Sequence, residues 1–211
     1  MNLLFNRANL ANWVTMSRIV AAPLFLILIF SANYWDKWIA GGLFAWGALS
    51  DYLDGYLARK YRIQSNFGIF MDPLADKVLL LSAMVALVQM NMIPAWMVII
   101  IATREFVITG LRQLAQTKNI LIKASRGGKH KTVSQIIAIS VALVIVCLKA
   151  SPQWMLYKLS GIIQWIQQPQ LLPWILRRGP YFLMLYATVA SVVSGVDYLI
   201  KNQQIIRGKL K

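Results

Sequence analysis

The sequence predicts an all-α integral membrane protein, with six transmembrane helices, an N-terminal helix on the membrane surface and a metal site near the cytoplasmic face. Hydrophobic residues make up 58% of the chain and charged residues only 14%, whereas a soluble domain carries roughly 25% charged residues. Runs long enough to cross a bilayer, which takes about 20 mainly apolar residues, recur along the chain. Six spans with short connections use up the 211 residues, so residues 1–211 are predicted to form a single membrane domain.

The surface helix and the first three spans are predicted in the N-terminal part of the chain. Residues 1–12 mix leucine and phenylalanine with Arg7 and other polar residues, which suits a helix lying in the membrane interface. The second span carries acidic residues in its last two turns, and a short basic connection leads from it to the third. The first three spans are predicted at 13–30, 38–58 and 72–89.

The remaining spans follow from a long uncharged run. No charged residue occurs between Val78 and Thr103, and this run is too long for one span of ordinary tilt. Asn91 and Pro94 favour a turn and divide the run. The segment 150–180 is rich in tryptophan and proline and is predicted to lie at the membrane interface rather than to cross it. The last three spans are predicted at 94–114, 132–148 and 181–200.

Basic residues predict the orientation and the kind of partner. The chain has a formal net charge of +15, and its lysines and arginines flank the apolar spans, so anionic lipid headgroups and phosphorylated substrates are expected rather than nucleic acid. The connections after the second and fourth spans carry most of the basic loop residues. Positive-inside counting therefore places both termini on the cytoplasmic side of the inner (cell) membrane.

Acidic residues are rare, and they cluster where the second and third spans approach each other. Acids at membrane depth are costly and favour a functional interpretation. If the two helices are antiparallel, two pairs at helical spacing converge at the cytoplasmic boundary, where their mutual repulsion requires cations. Oxygen ligands favour Mg²⁺, Mn²⁺ or Ca²⁺ over zinc. Four of the seven acidic residues form this cluster: Asp51, Asp54, Asp72 and Asp76.

Small residues on the same helical stripes leave room for a bulky ligand beside the acids. These are Gly55, Ala58 and Gly68. The whole segment, DYLDGYLARKYRIQSNFGIFMDPLAD, resembles the signature of the CDP-alcohol phosphatidyltransferase family, Asp-x2-Asp-Gly-x2-Ala-Arg-x8-Gly-x3-Asp-x3-Asp, at every fixed position. The resemblance extends from NWVTMSR in the first span to GKHKT before the fifth, and it fades after about Ala150.

The family resemblance implies a role for each of these residues. Asp51, Asp54 and Asp72 would bind two divalent ions, Mg²⁺ or Mn²⁺, that hold the diphosphate of CDP-diacylglycerol. Asp76 would share a metal ion and act as the general base on the acceptor hydroxyl. The resemblance also implies a homodimer. The residues expected to contact CDP-diacylglycerol are Gly55, Ala58, Arg59, Gly68, Asn12 and Thr15.

The acceptor is predicted from a second set of basic residues. The strings TREFVITGLR and GKHKT resemble the branch of the family that uses glycerol 3-phosphate and produces phosphatidylglycerophosphate and CMP. Plain anchoring at the cytoplasmic face remains the alternative for some of these residues. Glu105 directly follows Arg104, and neighbours on a helix point in different directions, so the sequence does not require an ion pair between them. The expected acceptor-phosphate ligands are Arg104, Arg112, Lys129 and Lys131.

Three other functions stay open at this point. The same chemistry could use inositol phosphate or phosphatidylglycerol as the acceptor. A divalent-cation or proton transporter could use the same acids as an ion pathway, although transporters usually place ionisable residues near the midplane of broken or repeated helices. A non-catalytic membrane scaffold would leave the acidic cluster unexplained.

Overall fold

A computed structural model of the protein describes residues 7–61, 66–117, 126–152 and 171–203, and within them it is helical with no strands. Side chains are described for residues 16–17, 19–50, 77–115, 130–152, 174 and 176–203. The helices are α1 (Arg7–Phe30), α2 (Tyr34–Tyr61), α3 (Asn66–Gln89), α4 (Ala95–Thr117), α5 (Arg126–Ala150) and α6 (Leu171–Lys201).

The six predicted spans correspond to these helices, but most helices are longer than predicted. The expected break between a surface helix and the first span is wrong for residues 7–12, which continue into α1. No glycine or proline stands at that point to end a helix. Residues 171–180, expected in the interfacial segment, instead form the beginning of α6. Residues 1–6 and 153–170 lie outside the described part of the chain.

Two stretches in the described part of the chain are long and apolar enough to cross a membrane by length and composition. They are His130–Ala150 in α5 and Leu176–Lys201 in α6. Shorter apolar stretches occur at Ile19–Phe30 and Lys77–Gln89. These helices fit a membrane-associated helical protein, and the arrangement of six spans remains a prediction.

The helices pack around one apolar core. In the described part of the chain, α1 packs against α2 and α3, α5 against α2 and α6, and α4 against α3 and α6. Large side chains such as Phe25, Met84 and Met184 are fully buried at the centre. The outer faces expose Ile27, Tyr186 and other large apolar residues, as a surface in contact with lipid would.

The turn between α3 and α4 explains why the long uncharged run divides where the sequence predicts. Asn91 has a positive φ of 55°, the left-handed conformation that asparagine tolerates better than most residues. The Asn91 amide donates to the Val88 carbonyl at 2.9 Å, and the Met92 amide donates to the Leu87 carbonyl at 3.0 Å. This pair of bonds is a Schellman motif, which satisfies the last carbonyls of the helix.

Candidate active site at the charged end of the helices

The candidate site lies where α2, α4 and α6 end and α3 and α5 begin, which we call the charged end. The opposite end, where α1, α3 and α5 end, is called the turn end. Asp51 and Asp54 belong to the final turns of α2, and Asp72 and Asp76 belong to the first turns of α3. The side chains of these four aspartates lie outside the described part of the structure.

A close contact fixes how α2 and α3 face each other. A Cβ atom added to Gly47 of α2 would overlap Leu79 Cδ2 of α3, so the Leu79 side chain packs directly against the backbone of α2 at this point. Residues seven apart lie on nearly the same face of a helix. Moving two turns toward the short connection from Gly47 reaches Asp54, and the same step from Leu79 reaches Asp72. Asp54 and Asp72 are therefore each two turns from this contact, on the side of the short connection between the helices.

The remaining residues expected around the nucleotide can be located only by helix. Asn12 and Thr15 belong to α1, and Gly55, Ala58 and Arg59 belong to α2. Gly68 belongs to the first turn of α3. Their surroundings lie outside the described side chains, so their roles remain predictions. Since α1 packs against both α2 and α3, all three helices belong to one packing unit.

The described side chains at the charged end converge on one carboxylate. Glu105 of α4 accepts a hydrogen bond from Arg104 Nη1 at 3.1 Å through Oε1, and the same oxygen accepts one from Lys131 Nζ of α5. Its Oε2 lies 3.7 Å from Lys77 Nζ of α3. Glu105 therefore forms ion pairs with cations from three helices, including the adjacent Arg104 that the sequence did not require as a partner.

Lys77 is a functional candidate that the sequence interpretation missed. Its ammonium donates to the Glu105 carbonyl oxygen at 3.1 Å and to Thr109 Oγ1, so it fastens α3 to α4. The signal in the sequence was a lysine directly after Asp76 at the edge of an apolar run, and ionisable residues at such depth are usually functional.

Arg104 connects the cluster to the last helix. Its Nη2 donates to Ser194 Oγ at 3.2 Å, and its Cγ would lie 2.9 Å from a Cβ added to Gly195. Only a residue without a side chain at position 195 lets the arginine pack this closely against α6. The side chain of Arg104 is 10% exposed, so the guanidinium is held between α4 and α6.

The other predicted phosphate ligands fall in different surroundings. Lys131 is buried, with 7% of its side chain exposed, which is unusual for a lysine that merely anchors a loop. Arg112 is exposed, and it lies within electrostatic range of both Lys77 and Arg104. The side chain of Lys129 lies outside the described residues. Two of the four predicted ligands therefore belong to one described cluster, with a third nearby.

Several buried polar atoms near the cluster have no hydrogen-bond partner among the described residues. Gln135 follows Lys131 by one helical turn, and Ser191 and Tyr198 flank Ser194 by one turn on either side. Leaving such atoms unpaired costs about 1–3 kcal/mol each in proteins, which is expected where a polar ligand completes the bonding. The unpaired atoms are Arg104 Nε, Gln135 Nε2, Ser191 Oγ and Tyr198 Oη.

Comparison with known proteins gives the family. The model for the family CDP-alcohol phosphatidyltransferase matches residues 8–171. A Bacillus subtilis (strain 168) protein named CDP-diacylglycerol–glycerol-3-phosphate 3-phosphatidyltransferase is 40% identical over 148 residues, covering 64% of this chain and 77% of the relative. A protein from Mycoplasma pneumoniae with the same name is 33% identical over 220 residues, covering 96% and 91%. A probable phosphatidylglycerophosphate synthase of Mycobacterium tuberculosis is 34% identical over 204 residues, covering 95% and 85%.

Proposed function

Because the chain belongs to the CDP-alcohol phosphatidyltransferase family, we propose that it transfers the phosphatidyl group of CDP-diacylglycerol to sn-glycerol 3-phosphate. The products are phosphatidylglycerophosphate and CMP, a step of phospholipid biosynthesis. Relatives named for this reaction cover nearly the whole chain, which supports the reaction and its acceptor together.

The observation that carries the acceptor assignment is the buried cluster around Glu105. Lys77, Arg104 and Lys131 supply three positive charges, and Glu105 offsets one of them. The excess of two matches a phosphate monoester, which carries about −1.5 to −2 charge at neutral pH. An acceptor without a phosphate, such as serine, would leave this excess charge uncompensated in a poorly solvated place.

The donor set at the aspartates fits the two divalent ions that the family resemblance implies. Asp51, Asp54, Asp72 and Asp76 provide carboxylate oxygens, the ligands that Mg²⁺ and Mn²⁺ prefer. Such ions would neutralise the charge of the diphosphate and stabilise the leaving CMP. The matching two-turn spacing of Asp54 and Asp72 from the contact between Gly47 and Leu79 supports this assignment.

The chain's own residues would then carry out the transfer. Asp76 removes the proton from the acceptor hydroxyl, whose oxygen attacks the phosphorus that bears diacylglycerol. A bond forms from the acceptor oxygen to this phosphorus, the bond from phosphorus to the CMP oxygen breaks, and CMP leaves without a covalent enzyme intermediate. Arg104, Lys131, Lys129 and Arg112 hold the acceptor phosphate, Arg104 with donors suited to two oxygens.

Nucleotide binding is assigned to the small residues and their neighbours. Gly55, Ala58 and Gly68 leave room for the cytidine, and Arg59 holds the nucleotide end. Asn12 and Thr15 of α1 contribute polar groups from the neighbouring helix. The same proposal includes six membrane spans in the inner membrane, an active site that faces the cytoplasm, and a homodimer.

The experiment that tests the function is an acceptor panel with the purified protein. CDP-diacylglycerol and Mg²⁺ are supplied in detergent or in nanodiscs, and CMP release and lipid products are measured with glycerol 3-phosphate, inositol phosphate, phosphatidylglycerol and serine. We expect CMP and phosphatidylglycerophosphate with glycerol 3-phosphate, and loss of both when EDTA removes the metal. If product forms only with another acceptor, the transferase chemistry stands and that compound replaces glycerol 3-phosphate as the assigned acceptor. No CMP with any acceptor would reject the transferase in favour of a transporter or scaffold.

A further inference from the structure

We propose that Glu105 is a positioning residue of this transferase. Its carboxylate holds the cations that bind the acceptor phosphate and fixes them relative to α3, which carries Asp76. This inference rests on the proposed function, because it assigns Glu105 a role in the use of a phosphorylated acceptor. Glu105 itself carries the wrong charge to bind a phosphate, so its contribution must act through its neighbours.

The first argument is the set of helices that Glu105 joins. Within the described residues, its carboxylate contacts Lys77 of α3, Arg104 of its own α4 and Lys131 of α5. Arg104 in turn donates to Ser194 of α6. One side chain therefore sets the positions of cations that come from separate parts of the chain.

The second argument is that two of the cations, Lys77 and Arg104, are bonded differently. Lys77 directs its ammonium toward three groups of α4, namely the Glu105 carbonyl, the Glu105 carboxylate and Thr109 Oγ1. These contacts hold α3 and α4 together. Arg104 keeps Nε buried and without a partner among the described residues. A guanidinium that is anchored through Nη1 and Nη2 and still has a free donor can donate a further hydrogen bond to an anion.

The third argument is electrostatic. The side chains of Lys77, Arg104 and Lys131 are 16%, 10% and 7% exposed, so water screens their mutual repulsion poorly. Without the Glu105 charge, these cations gain by moving apart. Since Lys77 directly follows Asp76 in α3, such movement also changes the position of the proposed base relative to the acceptor phosphate.

A different role for Glu105 predicts that the KM for glycerol 3-phosphate changes in the opposite direction. If its carboxylate competed with the acceptor phosphate for Lys131 and Arg104, its removal would lower the KM for glycerol 3-phosphate. If it positions these cations, its removal raises that KM. The two roles therefore separate in a single kinetic measurement.

The test compares Glu105→Gln and Glu105→Asp with the wild-type protein, and uses Asp197→Asn as the matched control. Asp197 pairs with Lys201 at 2.8 Å on the surface of α6, so the control also removes one carboxylate from an ion pair. We expect Glu105→Gln to raise the KM for glycerol 3-phosphate about tenfold or more, the scale of one lost charge-assisted interaction. The KM for CDP-diacylglycerol is expected to change less than about twofold, because the residues proposed to bind its nucleotide belong to α1, α2 and the first turn of α3, outside the cluster. Glu105→Asp is expected to restore part of the loss.

A double variant keeps the test decisive if Glu105→Gln does not survive purification. Glu105→Gln with Lys131→Gln removes one anion and one cation together, which restores the charge balance. If Glu105 acts through Lys131, the double variant is no worse toward glycerol 3-phosphate than Lys131→Gln alone. A double variant that is clearly worse toward glycerol 3-phosphate than Lys131→Gln alone would overturn the inference.

The outcomes distinguish this inference from the proposed function. Wild-type protein that makes no phosphatidylglycerophosphate rejects the function. Wild-type activity with an unchanged or lowered KM for glycerol 3-phosphate in Glu105→Gln rejects only the positioning role. Equal increases of the KM for both substrates would also reject it, since a general distortion of the fold would produce that result.

Discussion

The two ends of the helices treat their polar groups differently. At the turn end, short local hydrogen bonds cap the helices: Asn33 Oδ1 caps α2 by accepting from the Trp35 amide at 3.1 Å, and Asn91 closes α3. At the charged end, partners come from separate helices, and Arg104 Nε remains unpaired among the described residues. Bonding that is complete and local supports the fold, while bonding left incomplete at a buried site indicates a place for a ligand.

The turn end also differs in the character of its open space. A cavity of about 310 Å³ lies between α2 and α5, lined by Trp38, Phe44, Leu143 and Cys147 among others. Its walls are almost entirely apolar, and the Trp38 indole donates to Ser151 Oγ at 3.0 Å at its edge. Among the described residues of the turn end, no cluster of charges resembles the one around Glu105, so changes at these residues are expected to affect stability and not the reaction.

The largest expected effect is the loss of an aspartate at the charged end. Asp54→Asn or Asp72→Asn should reduce Mg²⁺-dependent CMP release at least about 100-fold, because each removes a metal ligand and its charge. The protein should still insert and purify. Asp36→Asn at the turn end is the matched control and should keep wild-type CMP release. Full activity in the Asp54 and Asp72 variants would contradict the metal-ligand assignment.

The second effect concerns the acceptor. Arg104→Ala should raise the KM for glycerol 3-phosphate about 10- to 150-fold, which corresponds to a loss of about 1.5–3 kcal/mol for a hydrogen bond to a charged group. The KM for CDP-diacylglycerol should change much less. Arg178→Ala, at an exposed position near the start of α6, is the control. Equal changes of the KM for both substrates would contradict the assignment of Arg104 to the acceptor site.

A smaller effect is expected from Gly195→Ala. The added Cβ would lie 2.9 Å from Arg104 Cγ and 3.4 Å from its Nε, so the arginine must shift by a few tenths of an ångström. We expect a few-fold increase in the KM for glycerol 3-phosphate, in keeping with the loss that small misplacements cause. Gly110→Ala on α4 meets nothing within 4 Å and should leave kinetics unchanged. Identical kinetics in both variants would show that Arg104 tolerates the displacement.

The smallest effect on activity is expected at the turn end. Asn91→Ala places a residue with a Cβ in the left-handed region, which should lower the free energy of unfolding by about 1 kcal/mol, while the KM values stay constant. Asn91→Gly should be at least as stable as the natural residue in this conformation. Melting temperatures of the purified proteins measure the difference. An altered KM in the alanine variant would contradict the expectation that changes at the turn end affect only stability.

The sequence predicted the helices well, because span-length apolar runs and turn residues are local signals. Asn91 and Pro94 divided the uncharged run correctly, since asparagine adopts the left-handed conformation that ends α3. The early start of α6 was missed because proline and tryptophan suggested an interfacial segment. Pro180 lies within the helix and is buried, and packing there outweighs the lost backbone hydrogen bond.

Sequence spacing predicted more about the aspartates than about the basic residues, and the reason is physical. The acidic motif lies in adjacent helices joined by a short connection, so spacing alone indicates that its members meet. Apart from the adjacent Arg104 and Glu105, the cluster joins side chains that are 26 to 90 positions apart in the chain, and only the tertiary arrangement brings them together. Lys77 was therefore missed, and the ion pair between Arg104 and Glu105 could not be required.

The bond between Arg104 and Ser194 also has a consequence for biogenesis. Ser194 belongs to α6, so the partner of Nη2 is synthesised only after the preceding helices. A chain stopped before residue 171 would hold the aspartates and most of the basic cluster but would lack the helix against which Arg104 packs. The proposed acceptor site would therefore be complete only when α6 is present.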